Sequence, residues 1–169
     1  LDMALLARDA CLARADGMSV ELTREKDEGA SLSMRGRLAR TLRADLVIAI
    51  HVDAFSDPHA KGSRVFWLSE DARPYAEHLA AKMPAELRRK HNSAPRATAA
   101  DWPRVVNVLQ QHSTCPAILI ECGYSTNERD FAALRDPMVC DSIAAAIAST
   151  AHLAQLTKES ANVRELTTH

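Results

Sequence analysis

Apolar residues fall along this chain in two rhythms, one helical and one strand-like. Leu1, Leu5, Leu12 and Ala15 recur amid alanine-rich sequence and Gly17 follows, which predicts a helix over residues 1–16 ended by a glycine. Ser19-Val20-Glu21-Leu22-Thr23 alternates with period two and predicts a half-buried strand. Leu32, Arg35, Leu38, Ala39 and Leu42 return at helical spacing, with Ser31 placed as the N-cap. Leu46-Val47-Ile48-Ala49-Ile50 is a short unbroken apolar run, the pattern of a strand covered on both faces. A loop with Pro58 and Gly62 leads to a predicted strand over residues 63–68. Residues 72–90 predict a helix that accepts Pro74 in its first turn and that Pro84 should kink or interrupt. Residues 91–104, with Pro95 and Pro103, read as loop. Ala117-Ile118-Leu119-Ile120 repeats the doubly buried strand pattern. A short helix is predicted over residues 125–134, and a long one rich in Ala and Ile from 137 to about 156. Periodicity then fades, so residues 157–169 are expected to form a polar tail, a linker or a frayed end.

Strands alternating with helices predict an α/β fold, a three-layer sandwich with a mostly parallel central sheet flanked by helices. One domain is expected over residues 1–156. The chain of 169 residues is 47% hydrophobic but only 4% aromatic, so its core must be built from Ala, Leu, Ile and Val. A net charge of −1 argues against a nucleic-acid partner, which would call for a clustered basic face. The densest basic stretch, Arg88-Arg89-Lys90-His91, sits where a helix should end and where cations oppose the helix dipole. No unbroken run of about 18 apolar residues occurs, so no membrane span is expected. No secretion signal opens the chain, but Leu1 already lies inside a helical pattern and there is no initiator Met, so residue 1 reads as an internal position. The four cysteines (Cys11, Cys115, Cys122 and Cys140) lack CxxC spacing and read mainly as small buried hydrophobes.

Candidate chemistry gathers at strand ends. In open α/β sheets, ligands bind beyond the carboxyl ends of the strands. The first doubly buried run closes with His51-Val52-Asp53 and the second with Glu121-Cys122-Gly123. His51 and Asp53 share a face if the strand extends that far. A carboxylate straight after four apolar residues is costly to bury unless something pairs with it. Imidazole is the commonest metal ligand near neutral pH, and a nearby carboxylate can take a proton from metal-activated water. This arrangement suits metal-assisted hydrolysis. It suits at least as well a hydrogen-bonded histidine and a salt-bridged glutamate that merely finish their strands.

At these residues the chain resembles the zinc-dependent N-acetylmuramoyl-L-alanine amidases. Leu22-Thr23-Arg24 with Asp27 is similar to the family's "LTR..D"; Ser31-Leu32 with Arg35 resembles its "L..R" helix start. Ala44-Asp45-Leu46 with Ala49-Ile50-His51-Val52-Asp53-Ala54 matches "AD…SIHaNa", and Gly62-Ser63 fits "Gs.v". Ile120-Glu121-Cys122-Gly123-Tyr124-Ser125-Thr126-Asn127 matches "vE.Gf.sN", and Arg135-Asp136-Pro137 with Ile143-Ala144 resembles "L.dp…iA.ai". Each motif is weak alone; their shared order over residues 1 to about 155 is specific.

The resemblance implies hydrolysis of the amide bond between N-acetylmuramic acid and the L-alanine of the stem peptide. It implies Zn2+ as cofactor, a muramyl peptide of peptidoglycan as substrate, and action in the periplasm, outside the cell or at the cell wall, as an autolysin or an endolysin. It implies His51 as a metal ligand and Glu121 as the catalytic residue that acts on the zinc-bound water. The family's other two ligands, a His in a "DPGHGG" loop and a Glu opening the first helix, have no counterpart in this sequence and are expected upstream of Leu1, together with a first strand. Further domains outside this chain are possible in such proteins. Asp53 stands where the family commonly has Asn, and Arg40 where it often has Asn.

Several residues also carry plainer readings. Ser125, Thr126 and Asn127 suit a helix N-cap with Glu128 in the first turn. Arg24 suits an ion pair with Asp27. His59 could approach the site but suits a solvated loop, and Cys122 reads as buried filler. The alternative to an enzyme is an inactive fragment or a non-catalytic peptidoglycan-binding module of the same fold.

Overall fold

The computed structural model describes residues 1–14, 17–88, 94–98, 104–112 and 114–167, with only the backbone described at 104 and 162–167. The elements run α1 (Asp2–Arg14), α2 (Leu32–Leu42), β1 (Val47–Asp53), β2 (Arg64–Trp67), a 3-10 turn (Glu70–Ala72), α3 (Arg73–Lys82), α4 (Arg104–Gln110), β3 (Ala117–Tyr124), α5 (Glu128–Ala133) and α6 (Pro137–Thr167).

The sheet has three strands in the order β1-β3-β2. β1 lies parallel to β3, and β2 antiparallel to it. Alternation along β3 feeds two cores. Ile118, Ile120 and Cys122 pack with Val65 and Trp67 against α1, α3 and α6, through Ala7, Leu79, Met83, Ile143 and Ile147. Ala117 and Leu119 pack with Phe66 against Val105, Val106, Val108 and Leu109 of α4, and Leu32 of α2 joins them. Helices thus cover both faces of the sheet, making the three-layer α/β sandwich. Ile118, Leu119 and Ile120 are at most 1% exposed, and each such burial stabilises by about 1.5–3 kcal/mol.

The structure departs from the sequence-based expectations in several places. The sheet is mixed, since β2 runs against β3. β1 is only half-buried, because it is an edge strand among the described residues, whereas every residue of the central β3 is buried. Residues 19–23 form no strand. Their alternation survives in burial, with Val20 and Leu22 half-covered and Ser19, Glu21 and Thr23 exposed. Period two reports which side of an extended segment is covered; a ladder also needs a free neighbouring edge.

Helix α4 was not foreseen, because Val105, Val106 and Val108 are β-branched and weak helix formers. Their spacing with Leu109 nevertheless makes one apolar stripe, and burial of all four settles the conformation. α3 stops at Lys82, well short of residue 90. Met83 is extended at φ −59°, ψ 142°, as a residue before proline should be. Arg88 then donates to the carbonyls of Ala81 at 3.3 Å and Met83 at 2.8 Å, satisfying acceptors that the helix end leaves open. Residues 89–91 of the basic stretch, and Ala15 and Pro103, lie outside the described residues.

α6 continues to Thr167, beyond the expected end near 156. Polar residues line the extension: Lys158 pairs with Asp45 at 2.8 Å, and the Thr157 and Ser160 hydroxyls find acceptors in the Leu153 and Leu156 carbonyls of the same helix. Over Pro137–Ala161 this helix is long and apolar enough to cross a membrane by length and composition, with mean hydropathy 1.2. The sequence holds no unbroken apolar run of that length, because Asp141, Ser142 and other polar residues interrupt the stretch. Val139, Ile143, Ala146, Ile147 and Ala154 lie in the core, so one side of this helix packs inside the domain.

Candidate active site at the sheet rim

Parallel pairing of β1 and β3 runs in one-to-one register from Val47↔Ala117 to His51↔Glu121. Adjacent strands lie about 4.8 Å apart, so the two residues are immediate neighbours. Val47, Ala49, Ala117 and Leu119 all pack with the α4 core, and continued alternation places His51 and Glu121 on that same face. Antiparallel pairing sets Arg64 opposite Glu121 on the other side. One row, His51–Glu121–Arg64, therefore crosses the whole sheet. The Arg64 guanidinium lies over the Phe66 ring, 4.4 Å from its centroid.

The carboxyl-bearing residue is deeply placed: Glu121 is 7% exposed, whereas His51 is half-buried. Burial, and then the Arg35 cation, hold the His51 imidazole below its ordinary pKa, with Asp53 acting in the opposite sense. Both effects favour the neutral ring, the form that binds metals.

Beyond His51 the register shifts, and Asp53 pairs with Tyr124. β3 carries the extra residue, a bulge of the kind that re-aims side chains beside sites. Gly123 occupies it. A Cβ there would meet Leu87 Cδ2 at 3.2 Å and the Cβ and Oδ2 of Asp130 at 3.3 Å. Asp130, 1% exposed, accepts from the amides of Gly62 at 2.6 Å and Tyr124 at 3.0 Å. It joins the loop before β2, the end of β3 and α5. The sequence reading missed this residue, although Asn127-x-x-Asp130 has the spacing of a capping box, whose third helical residue is often acidic.

Asn127 does cap α5, accepting from the Asp130 amide at 3.1 Å. Ser125 and Thr126 do not cap it. Ser125 donates to the Asp53 carbonyl, and Thr126 accepts from the Phe55 amide. Arg24 reaches Asp27 at 3.5 Å and the Glu28 carbonyl at 3.1 Å, in keeping with a structural role. Cys122 points into the core, and burial, reinforced by Glu121, pushes its thiol up to about 12, which leaves it inert. His59 is exposed, and Asp53 accepts from its neighbour Ala54 at 2.8 Å. His78, on α3, meets Ser149 of α6 at 3.0 Å. His91 and His169 lie outside the described residues.

Catalytic zinc takes three protein ligands and leaves one position open. Among the described residues, no group of three His, Cys, Asp or Glu side chains could hold a metal. His51 offers one suitable nitrogen and Glu121 a carboxylate beside it. Those two donors do not complete a zinc site by themselves, and neither Asp53 nor His59 supplies the rest.

Fold and rim together define an α/β sandwich domain whose polar centre is an imidazole–carboxylate pair at the carboxyl ends of two parallel strands. The chain belongs to the N-acetylmuramoyl-L-alanine amidase family, whose model matches residues 1–151. It is similar to the probable cell wall amidase LytH of Staphylococcus saprophyticus, 29% identical over 119 residues, covering 70% of this chain and 36% of that protein. The Staphylococcus aureus LytH is 27% identical over 123 residues, covering 73% of this chain and 38% of that protein. The chain therefore spans little more than a third of these curated relatives. In fold it resembles the catalytic domain of CwlV, an N-acetylmuramoyl-L-alanine amidase from Bacillus (Paenibacillus) polymyxa, with TM-score 0.74 and 22% identity, covering 92% of this chain and 82% of that one. It also resembles the CwlD amidase of Clostridioides difficile, solved with the GerS lipoprotein, with TM-score 0.76 and 20% identity, covering 92% of this chain and 85% of that one.

Proposed function

We propose that this domain hydrolyses the amide bond between N-acetylmuramic acid and L-alanine in peptidoglycan, acting in the periplasm or at the cell wall. The observation that carries the reading is the register pairing of His51 with Glu121 on one face of the sheet, in a chain of the amidase family. Zn2+ is the proposed cofactor, in keeping with a family that is generally zinc-dependent; when bound, it would polarise the amide carbonyl and acidify water. His51 presents a neutral imidazole toward that position as one ligand. Glu121 takes the proton of the attacking water and returns it to the leaving L-alanine amine. Its placement between the His51 imidazole and the Arg64 cation sets the carboxylate between two polar neighbours in an otherwise apolar layer.

The second reading is a non-catalytic peptidoglycan-binding module, and it is favoured by the lack of a three-ligand group among the described residues. One experiment separates the two. The complete gene product, with whatever sequence flanks these residues, is incubated with peptidoglycan, and L-alanine-terminated peptides are counted by mass spectrometry. The hydrolase reading expects release by the native protein, loss of at least about a hundredfold in Glu121→Gln, and zinc retained in that variant. Sedimentation with peptidoglycan but no released peptide would leave the binding module.

A further inference from the structure

Three successive residues after β3 are tied to the last residue of β1 and the segment that follows it. Ser125 donates to the Asp53 carbonyl from its amide at 2.8 Å and from its hydroxyl at 3.1 Å. Thr126 Oγ1 accepts from the Phe55 amide at 3.1 Å. Asn127 Nδ2 donates to the Pro58 carbonyl at 2.6 Å. Asp53 is the last residue of β1, and Tyr124, just before Ser125, is the last of β3.

These bonds begin where the ladder loses its regularity. His51↔Glu121 is the final pair in one-to-one register before the β3 bulge. Among the described residues β1 is an edge strand there, and segments with few contacts open locally unless something holds them. Helix capping does not explain the arrangement. Capping α5 requires only an acceptor at Asn127, which Oδ1 supplies; the Nδ2 bond to Pro58 is additional. Ser125 and Thr126 are exposed and bond nothing in α5, so burial does not explain them either.

We propose that Ser125, Thr126 and Asn127 form a clamp that fixes the end of β1, and so sets the His51 imidazole relative to the Glu121 carboxylate. As a claim about catalysis it rests on the hydrolase reading above, with all three as positioning residues. As a claim about geometry it does not.

The test uses variants that separate the clamp from folding, in the complete gene product. Thr126→Val keeps the shape and removes the acceptor, whereas Thr126→Ser keeps the acceptor. Asn127→Asp keeps the cap and removes the donor. Thr126→Val should exchange the Phe55 amide roughly 2- to 10-fold faster, and both Thr126→Val and Asn127→Asp should shift the His51 imidazole resonances in NMR spectra. Both should lower kcat by about 10- to 100-fold, with KM changed by less than about threefold. Thr126→Ser should restore all of these values. Unmoved His51 resonances, a Thr126→Ser variant as impaired as Thr126→Val, or a full kcat alongside the faster exchange would each overturn the clamp. If the native protein hydrolyses nothing while the His51 resonances still move and Thr126→Ser restores them, the hydrolase reading falls and the geometric clamp stands.

Discussion

His51 and Glu121 face each other across a parallel ladder at the last position before its register breaks. One residue of slip in β1 would turn His51 to the opposite face and leave Glu121 beside an aliphatic neighbour, because side chains alternate with period two. The pairing is therefore all-or-none.

It yields a first prediction. His51→Ala in the complete gene product should lower zinc affinity by at least about tenfold, since a first ligand matters no less than the outer groups that orient it. Glu121→Gln should leave that affinity within about threefold, because the proposed proton carrier is no ligand. Competition with a chromogenic chelator reads both constants. Equal losses in the two variants would mean that Glu121 ligates the metal, and the assignment of a base would have to move.

How far this site could be read without coordinates follows from particular residues. The runs ending at Ile50 and Ile120 declare two covered strands, and the polar residue after each marks the sheet rim. Their equal phase, one residue past an apolar run, was enough to place His51 and Glu121 at the carboxyl ends. Register was not legible, because it depends on hydrogen bonds between segments far apart in sequence. The β3 bulge and the role of Asp130 are hidden for that reason: the carboxylate is recruited by amides of Gly62 and Tyr124, which no local pattern joins. Residues 19–23 misled for the converse reason, since their alternation is real but pairs with no strand among the described residues. In α4, burial overrides the weak helix preference of three valines.

Gly123 supplies a second prediction. Its neighbours cannot readily yield: Leu87 is fully buried, and Asp130 is held by two amides. Gly123→Ala should destabilise the domain by about 1–3 kcal/mol, the usual penalty for overpacking a filled site. Gly29→Ala is the control, since a Cβ there meets nothing within 4 Å; it should be neutral or slightly stabilising through the unfolded chain. Urea midpoints at constant slope measure both. A Gly123→Ala variant as stable as the native domain would show that the bulge has room to relax.

The last prediction concerns acid, and it uses a histidine away from the rim. His112 is 4% exposed, and its Nδ1 is buried without a hydrogen-bond partner among the described residues. It follows α4 and shares a cleft with Asp71 and Cys115. Burial, then Arg40 and Arg35, hold its pKa below the ordinary value of 6.5. In the window between that lowered pKa and 6.5, the unfolded chain binds a proton that the folded chain does not. Unfolding is therefore favoured as pH falls through this window, and stability is fully present above it. His51 and His78 are shifted in the same direction and add to the slope. Replacing His112 by Gln removes one proton-binding group from both states. The loss of Tm between about pH 7.5 and about pH 5.5 should then be smaller in His112→Gln than in the native domain. Calorimetry at the two pH values decides it: an unchanged difference would mean that the folded domain accommodates the His112 cation, and that Asp71 offsets the two arginines.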